Sequence, residues 1–285
     1  MMSERSLIRV TPAQATQDGA GVRLLRALGY RQGARMDPFL MLDAFSSDDP
    51  DDYIAGFPPH PHRGFETVTY IVDGHMRHRD HLGNEGDLRA GGVQWMTAGR
   101  GIIHEEMPQQ ENGLLRGFQI WLNLPAADKM QPAHYRDIPA GEIRVAGLPE
   151  GGFIKLIAGT IPWATCPLEG PGKGHAATQP IIADIRVMAG QSVDIPIPAT
   201  HQVLLYVFEG QLQAADQVVA AAHTAWYGPE GETLHIAATP SEGVRVLLLA
   251  GKPLNEPIAQ YGPFVMNTAE ELEQALNDYR QGTLA

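Results

Sequence analysis

Cysteine is almost absent from this chain of 285 residues, in which Cys166 is the single example. One cysteine excludes an intramolecular disulfide and any zinc site that is built from several thiolates. Cys166 has neither a Cys-x-x-Cys partner nor a neighbouring histidine in the sequence, so we interpret it as structural or incidental.

Positive charge is also scarce. The chain has 21 Lys and Arg residues against 33 Asp and Glu residues, a net charge of −12, and it has no run of Lys or Arg. A protein that binds the phosphate backbone of a nucleic acid needs a cationic surface, so we expect no direct nucleic-acid binding. We interpret the acidic segment Ser46–Asp52 as a solvated loop.

Long apolar runs are missing too. No stretch reaches the roughly eighteen apolar residues of a membrane-spanning helix, and residues 1–10 lack the apolar segment of a secretion signal. We therefore expect no membrane partner and a cytoplasmic protein. With 44% apolar and 19% charged residues, the composition is typical of a globular chain that is long enough for two medium domains or one large one.

Helical periodicity is confined to the C-terminal end. Residues Thr268–Glu271 form a capping box and Gly282 follows as a stop signal. Elsewhere, short runs of β-branched and aromatic residues alternate with turn residues, as in Thr67–Val72 followed by Asp73-Gly74. These patterns predict an all-β fold with one short C-terminal helix. The apolar residues at helical spacing are Leu272, Ala275, Leu276 and Tyr279.

The second half of the chain repeats the first half faintly. Val203–Gly210 parallels Thr67–Gly74, and Ala225-Trp226 parallels Gln94-Trp95. A repeated antiparallel barrel is the simplest account of this similarity. We predict an N-terminal domain at residues 1–135 and a C-terminal domain at residues 136–285 that ends in the helix.

Two short stretches carry the candidate chemistry. His60-Pro61-His62 and His104-Glu105-Glu106 each hold possible metal ligands at positions i and i+2. On a β-strand this spacing puts both side chains on one face, about 6.5–7 Å apart. Two such strands lying side by side would direct His60, His62, His104 and Glu106 at one point. Three imidazoles and one carboxylate suit a divalent transition metal, with positions left open in an octahedron.

The residues alone leave the identity of the carboxylate open. Glu66 is the alternative to Glu106, because it shares strand parity with His60 and His62. Glu105 has the opposite parity to Glu106, so we expect it to face away from the metal.

The remaining histidines receive ordinary interpretations. His75, His78 and His81 follow a turn, lie among charged residues and do not share strand parity, so we interpret them as part of a solvated hairpin. The repeat places His235 opposite His104 but puts Ala237 opposite Glu106, and prolines stand opposite the other two ligands. We therefore expect a metal-free second half in which His235 is a partly buried histidine without a special role.

Several long motifs resemble the pirin family, which is part of the bicupin group. Motifs of this length are far more specific than an isolated His-x-His, and together they span nearly the whole chain. They are His60–Val68, Gln94–Pro108, Asp37–Leu40 and Gly262–Thr268.

The resemblance implies two tandem cupin domains, each an antiparallel β-barrel or jelly roll, with one non-haem metal in the N-terminal domain. Carried over onto the matching positions, the implied ligands are His60, His62, His104 and Glu106. The general cupin pattern would instead use Glu66, so the resemblance to pirins favours Glu106. Thr97, where cupins usually have proline, and an insertion before His104 depart from the general cupin pattern but agree with pirins.

The resemblance also implies an activity, because some bacterial pirins are quercetin 2,3-dioxygenases. We expect cleavage of a flavonol such as quercetin with O₂ and release of CO. In this interpretation the metal acts as a Lewis acid on the deprotonated 3-oxygen and Glu106 accepts the proton. We expect Phe39, Phe57 and Met96 to line an apolar pocket, and Asp43, Arg63 and Gln119 to make polar contacts at its mouth. Structural ion pairs or hydrogen bonds are the alternative role for those last three residues.

The metal and two rival functions stay open at this stage. Fe(II) is the first expectation because the ligand set has no thiolate, and Ni, Mn, Co, Zn and Cu are alternatives. One rival function is a regulatory or redox-sensing pirin that acts through a protein partner without turnover. The other is a different cupin enzyme, such as a sugar isomerase or a small-acid dioxygenase, for which a pocket rich in Lys, Arg and Asn is expected.

Overall fold

The computed structural model describes residues 3–29, 35–163 and 166–285. Within these residues the chain forms strands throughout and one α-helix, which confirms the predicted all-β class and the short C-terminal helix. The first half contains β1 Leu7–Pro12, β2 Gln14–Asp18, β3 Val22–Leu28, β4 Phe39–Ser47, β5 Phe57–His62, β6 Phe65–Asp73, β7 His75–Asp80, β8 Glu85–Arg89, β9 Val93–Thr97, β10 Ile102–Pro108, β11 Leu115–Asn123 and β12 His134–Ile138. The second half contains β13 Arg144–Gly147, β14 Phe153–Ala158, β15 Thr160–Ile161, β16 Leu168–Glu169, β17 Ile181–Val187, β18 Ser192–Pro196, β19 Gln202–Ala214, β20 Gln217–Ala220, β21 His223–Tyr227, β22 Thr233–Ala238, β23 Val244–Gly251, β24 Ala259–Tyr261, β25 Phe264–Met266 and the helix α1 Ala269–Gln281.

The chain divides into two compact units. The N-terminal unit comprises Ala15–Ala140 and Leu254–Ala285, and the C-terminal unit comprises the described residues of Met1–Gln14 with Gly141–Pro253. This grouping differs from a simple division at residue 135 in where it places the chain ends. Strand β1 pairs with β21 and so joins the C-terminal unit, whereas α1 packs against β24 and β25 in the N-terminal unit. Pairings between residues so distant in the sequence leave no local pattern.

The N-terminal unit is built from two antiparallel sheets. One has seven strands in the order β12-β9-β6-β11-β4-β3-β2, and the other has four in the order β5-β10-β7-β8. Both sheets contribute alternate side chains to a common core, as expected for strands that have one face buried. Buried members of this core are Val22, Leu24, Phe45, Tyr53, Ile71, Met76, Leu88 and Leu115.

A bend at Gly64 sends the chain from one sheet to the other. Strand β5 ends at His62 in the four-stranded sheet, and β6 begins at Phe65 in the seven-stranded sheet. Gly64 has φ +90°, and a Cβ atom there would lie 2.0 Å from the Val265 carbonyl oxygen. Only glycine fits a backbone with this angle and this close approach.

The C-terminal unit has one ten-stranded sheet whose main path runs β1-β21-β19-β23-β17-β14-β13. Its strands are rich in Ile, Val and Leu, and they form a large continuous apolar core. A buried ion pair crosses β17 and β23, where Arg245 donates to both carboxylate oxygens of Asp184 at 2.9 and 2.7 Å. Arg245 also contacts Glu209 at 3.1 Å.

Helix α1 begins and ends as its sequence predicts. The Thr268 hydroxyl accepts a hydrogen bond from the Glu271 N–H, the Glu271 side chain bonds back to the Thr268 N–H, and Gly282 ends the helix at φ +70°. The helix packs through Ala275 on Phe264 and Leu284. In the part of the chain that the structure describes, no helix has the length and apolar character needed to cross a membrane.

Candidate metal centre

Three of the four predicted ligands come together between β5 and β10. These strands pair antiparallel with His104 opposite His60, and His62 lies two residues beyond His60 on the same strand. The ring centroids are 4.7 Å apart for His60 and His62, 4.4 Å for His60 and His104, and 4.9 Å for His62 and His104. One nitrogen from each ring lies within 4.8 Å of the others. Among the described residues, this is the one group of His, Cys, Asp or Glu side chains close enough to hold a metal ion.

Each of the three rings has one nitrogen engaged in a hydrogen bond. Partners of this kind fix the ring orientation and leave the second nitrogen for a metal. Nδ1 of His60 lies 2.8 Å from the Pro58 carbonyl oxygen, and the His62 ring bonds to the Pro263 carbonyl. Nδ1 of His104 lies 2.9 Å from Nε2 of His78.

The second ring nitrogens of the two buried histidines are left without a partner. Nδ1 of His62 and Nε2 of His104 are inaccessible to water and make no hydrogen bond. Burial, followed by the neighbouring imidazoles, lowers the pKa of both rings well below the ordinary value of 6.5. They are therefore neutral at pH 7, which is the form that ligates metals. Converging neutral imidazoles with unsatisfied nitrogens fit a divalent transition metal.

Glu106 lies in the wall of a cavity that His60 and His62 also line. A β-bulge separates it from His104 on β10, and its side chain is buried. Its Oε1 accepts a hydrogen bond from the Thr69 hydroxyl at 2.9 Å, and its Oε2 accepts one from the Gln119 amide at 3.0 Å. The carboxylate is thus oriented by two donors, and among the described residues it is outside the compact three-histidine group.

Glu66 points away from this cavity. Its Oε1 accepts hydrogen bonds from the Trp95 indole at 3.1 Å and the Thr97 hydroxyl at 2.9 Å, both on the neighbouring strand β9. Thr69, three residues along β6, faces Glu106, and side chains three residues apart on a strand occupy opposite faces. The parity that Glu66 shares with His60 in the sequence is lost at the Gly64 bend.

This cavity, which His60 and His62 line, has a volume of about 350 Å³. Of the predicted pocket residues, Phe57, Asp43 and Gln119 line it. Asp43 forms a bidentate ion pair with Arg26, whose Nε and Nη2 atoms lie 2.8 and 2.6 Å from the two carboxylate oxygens. Burial raises the pKa of the Asp43 carboxyl, and the hydrogen bonds from Arg26 oppose that shift. The apolar part of the lining is Leu24, Met41, Phe45, Phe57 and Trp121.

A second cavity, of about 670 Å³, shares His60, Met41 and Trp121 with the first. Its outer wall is the turn Gln260–Pro263 between β24 and β25. The two cavities therefore adjoin at His60 and Trp121.

Phe39, Met96 and Arg63 are placed elsewhere, because none of them lines the cavity in the described structure. Phe39 and Met96 are completely buried, and Met96 packs on Ala98 and Ile102. The Arg63 side chain turns towards the C-terminal segment, in which its guanidinium donates to Asp278 at 2.7 Å and to the Leu284 carbonyl at 3.1 Å. It also donates to the Arg100 carbonyl. Arg63 thus has the structural role that was the alternative for it.

Sequence reasoning missed two contributors. The interpretation of His78 as part of a solvated hairpin is wrong, because this residue is 2% exposed and bonded to His104, whereas His75 of the same strand pairs with Asp87 near the surface. Finding His78 required knowing that β7 pairs with β10. Trp121, whose ring lies 5.3 Å from that of His62, shares strand parity with Gln119, and that signal was available in the sequence.

His235, the histidine that the repeat places opposite His104, belongs to no candidate metal-binding group among the described residues. His235 is partly exposed on β22, and its Nδ1 lies 2.7 Å from Asp194 on the paired strand β18. Cys166 is exposed and makes no disulfide.

Comparison with known proteins gives matches over the whole chain. The family model for Pirin matches residues 21–122, and the model for the Pirin C-terminal cupin domain matches residues 182–285. The chain is 49% identical to the "Putative quercetin 2,3-dioxygenase" of Pseudomonas aeruginosa, with 100% of both chains covered. It is 35% identical to human Pirin, over 98% of this chain and 94% of that one. A crystal structure of quercetin 2,3-dioxygenase from Acinetobacter baumannii superposes with a TM-score of 0.91 at 32% identity, covering 99% of each chain.

Proposed function

The chain belongs to the pirin family and has the two-cupin fold, and from that premise we propose that it is a metal-dependent dioxygenase of flavonols such as quercetin. The reaction would consume O₂ and release CO. The observation that carries the proposal is the convergence of His60, His62 and His104, two of which keep an unsatisfied buried nitrogen, beside a cavity that has several apolar lining residues. Relatives that are named for this activity support the proposal.

The proposed ligands are the three histidines and Glu106. The imidazoles supply the fixed part of the set, because each ring is held by a separate partner. Glu106 would supply the carboxylate from the cavity wall, and the position of Glu66 on the other face of β6 supports this choice. Fe(II) is our first choice, with Ni, Mn, Co, Zn and Cu as alternatives that such nitrogen and oxygen ligands also accept.

The chain's own residues provide proton transfer, orientation and a dry site. When bound, the metal supplies Lewis acidity towards the flavonol oxygen and the electronic coupling to O₂. The Glu106 carboxylate takes the proton of the substrate hydroxyl, and Gln119 and Thr69 hold that carboxylate in place. Trp121 and Phe57 form flat apolar walls against which an aromatic ligand packs with little water.

The cavity lining disfavours the other cupin enzymes considered above. None of its described residues is Lys, Arg or Asn, and Glu106 adds negative charge, whereas Arg26 compensates the charge of Asp43. Glu106 would repel an anionic small acid, and the described lining offers a sugar no cationic donor and a single side-chain amide, that of Gln119. A neutral, flat, aromatic substrate with hydroxyl groups is the chemistry that this wall accommodates.

The proposal is tested with protein purified without oxygen and loaded with Fe(II). Quercetin and air are added, and the loss of flavonol absorbance is followed together with CO release. We expect metal-dependent CO release that is lost in His62→Ala and kept in His235→Ala. If protein that holds one metal per chain turns over no flavonol with any metal offered, the dioxygenase proposal fails. A regulatory pirin that acts through a protein partner then becomes the better account.

A further inference from the structure

His78 is a buried histidine that no step described above uses. It lies on β7, where it is paired in register with Glu106 on β10, and it is 2% exposed. Its ring packs against that of His104 with 4.9 Å between centroids, and against that of Tyr135 with 5.1 Å between centroids. The residue therefore sits directly behind one of the proposed ligands.

The hydrogen bond between the two rings determines which nitrogen of His104 is available. Nε2 of His78 is 2.9 Å from Nδ1 of His104, and this contact leaves Nε2 of His104 without a partner. His60 and His62 are held by main-chain carbonyls, which can only accept a hydrogen bond and so place a proton on the nitrogen that they contact. Of the three rings, only that of His104 has a side chain as the hydrogen-bond partner that orients it.

Packing alone does not account for a histidine at position 78. Its own Nδ1 is buried without a hydrogen-bond partner, which is an unfavourable arrangement for a polar atom. A phenylalanine ring could pack between His104 and Tyr135 without a buried polar atom of its own, but it would remove the partner of Nδ1 of His104. The contribution that an imidazole adds at this position is its hydrogen bond to His104.

We propose that His78 is a positioning residue of the metal centre. Its Nε2 accepts the Nδ1–H of His104 and holds that ring with an unprotonated Nε2 towards His60 and His62. This inference rests on the proposed metal-binding function. Outer-shell partners of ligating histidines typically change metal affinity by about 10–100-fold when they are removed.

The test compares three variants in the full chain. His78→Phe keeps a ring but removes the acceptor, His78→Gln keeps an acceptor, and His75→Gln is the matched control on the same strand, near the surface. Zinc affinity is measured by competition with a chelator, and the tautomer of His104 is read from the ¹⁵N chemical shifts of its ring in metal-free protein. We expect His78→Phe to bind zinc about 10–100-fold more weakly and to show a mixed tautomer. We expect His78→Gln to recover most of the affinity, and His75→Gln to match the wild type.

The two readouts separate this inference from the proposed metal site. A wild-type protein that binds no metal would defeat the metal site, while the tautomer of His104 still tests the role of His78. The inference is overturned if folded His78→Phe keeps both the wild-type affinity and a single Nδ1–H tautomer. If His78→Phe does not fold, the wild-type spectrum decides alone, because His104 protonated on Nε2 in the metal-free protein would contradict the proposal.

Discussion

The two units pair corresponding strands in the same register, but the corresponding histidines, His104 and His235, have different surroundings. In the N-terminal unit, Val68 of β6 lies opposite Trp95 of β9, and in the C-terminal unit the equivalent Leu204 of β19 lies opposite Trp226 of β21. The faint sequence repeat therefore corresponds to a real repeat in strand pairing. It places His104 and His235 at equivalent positions.

Their surroundings differ in the partner that each ring finds. The Nδ1 atom of His235 lies 2.7 Å from a carboxylate at the surface, that of Asp194. His104 is 2% exposed, bonds to another imidazole and keeps a buried nitrogen without a partner beside two further histidines. His104 therefore differs from His235 in being buried, in keeping one nitrogen without a partner and in lying next to His60 and His62.

The comparison is tested most strongly by removing one histidine from each unit. We expect His62→Ala or His104→Ala to lose essentially all bound metal, because two imidazoles cannot replace a converging set of three. His235→Ala should keep one metal per chain. Elemental analysis of protein dialysed against metal-free buffer measures this difference, and full metal content in His104→Ala would refute the assignment.

The two candidate glutamates give the next largest effect. Glu106→Gln should lower turnover by about 10²–10⁴-fold, because it removes the proposed proton acceptor and the anionic ligand. Glu66→Gln should keep metal and turnover, since an amide oxygen still accepts from Trp95 and Thr97. Steady-state rates at equal metal loading decide between them, and equal losses in both variants would remove the basis for preferring Glu106.

Each unit also has an arginine in a mostly buried ion pair. Arg63 contacts one carboxylate, that of Asp278, whereas Arg245 contacts two, those of Asp184 and Glu209. Asp278→Ala leaves the Arg63 guanidinium with main-chain carbonyls only, and we expect a loss of about 1–2 kcal/mol in the free energy of unfolding. Glu209→Ala should cost less, because Arg245 keeps both hydrogen bonds to Asp184. Urea unfolding curves provide the comparison, and a larger loss in Glu209→Ala would contradict this reasoning.

A further difference between the units is a pH dependence that belongs to the N-terminal unit. Lys129 is buried there, with Nζ bonded to the Gly64 and Val265 carbonyls and the Asn123 amide oxygen, and burial lowers its pKa from 10.5 to about 7. Between these values the unfolded chain retains a proton that the folded chain has released. The free energy of unfolding should therefore rise with pH, by up to about 1.4 kcal/mol per pH unit.

The contribution of Lys129 is isolated by substitution. Lys129→Met should remove this slope, while Lys155→Met, at a partly exposed lysine of the C-terminal unit, should keep it. Unfolding measured from pH 7 to 9.5 avoids the buried tyrosines, such as Tyr206, whose pKa burial raises to about 12 and which would oppose the trend above pH 10. An unchanged slope in Lys129→Met would show that Lys129 keeps its proton when folded.

Patterns that are local in the sequence were sufficient to predict the fold class, the helix and the strands that carry the candidate ligands. The i, i+2 spacing of His60 and His62, the turn residues between strands and the capping box at Thr268 each act within a few residues, and the structure realises the predicted strands and helix. The resemblance to pirins placed the candidate site in the N-terminal half.

Contacts between residues that are far apart in the sequence could not be predicted from it. Arg63 follows a ligand directly, yet its partners are Asp278 and Leu284 at the far end of the chain. Glu66 loses its parity with the histidines because Gly64 bends the backbone, and His78 becomes visible only when β7 is known to pair with β10. Sequence spacing predicts which side chains share a strand face, but it does not predict which strand lies next to it.

We propose that one metal binds in the N-terminal unit, at His60, His62 and His104. The most direct test is a crystal structure of the metal-loaded protein with anomalous diffraction measured at the absorption edge of that metal. We expect a single strong peak about 2.0–2.2 Å from one nitrogen of each of these histidines, with the Glu106 carboxylate as the nearest oxygen ligand from the protein. A loaded crystal with its peak at His235, or with no peak at the three histidines, would contradict the account.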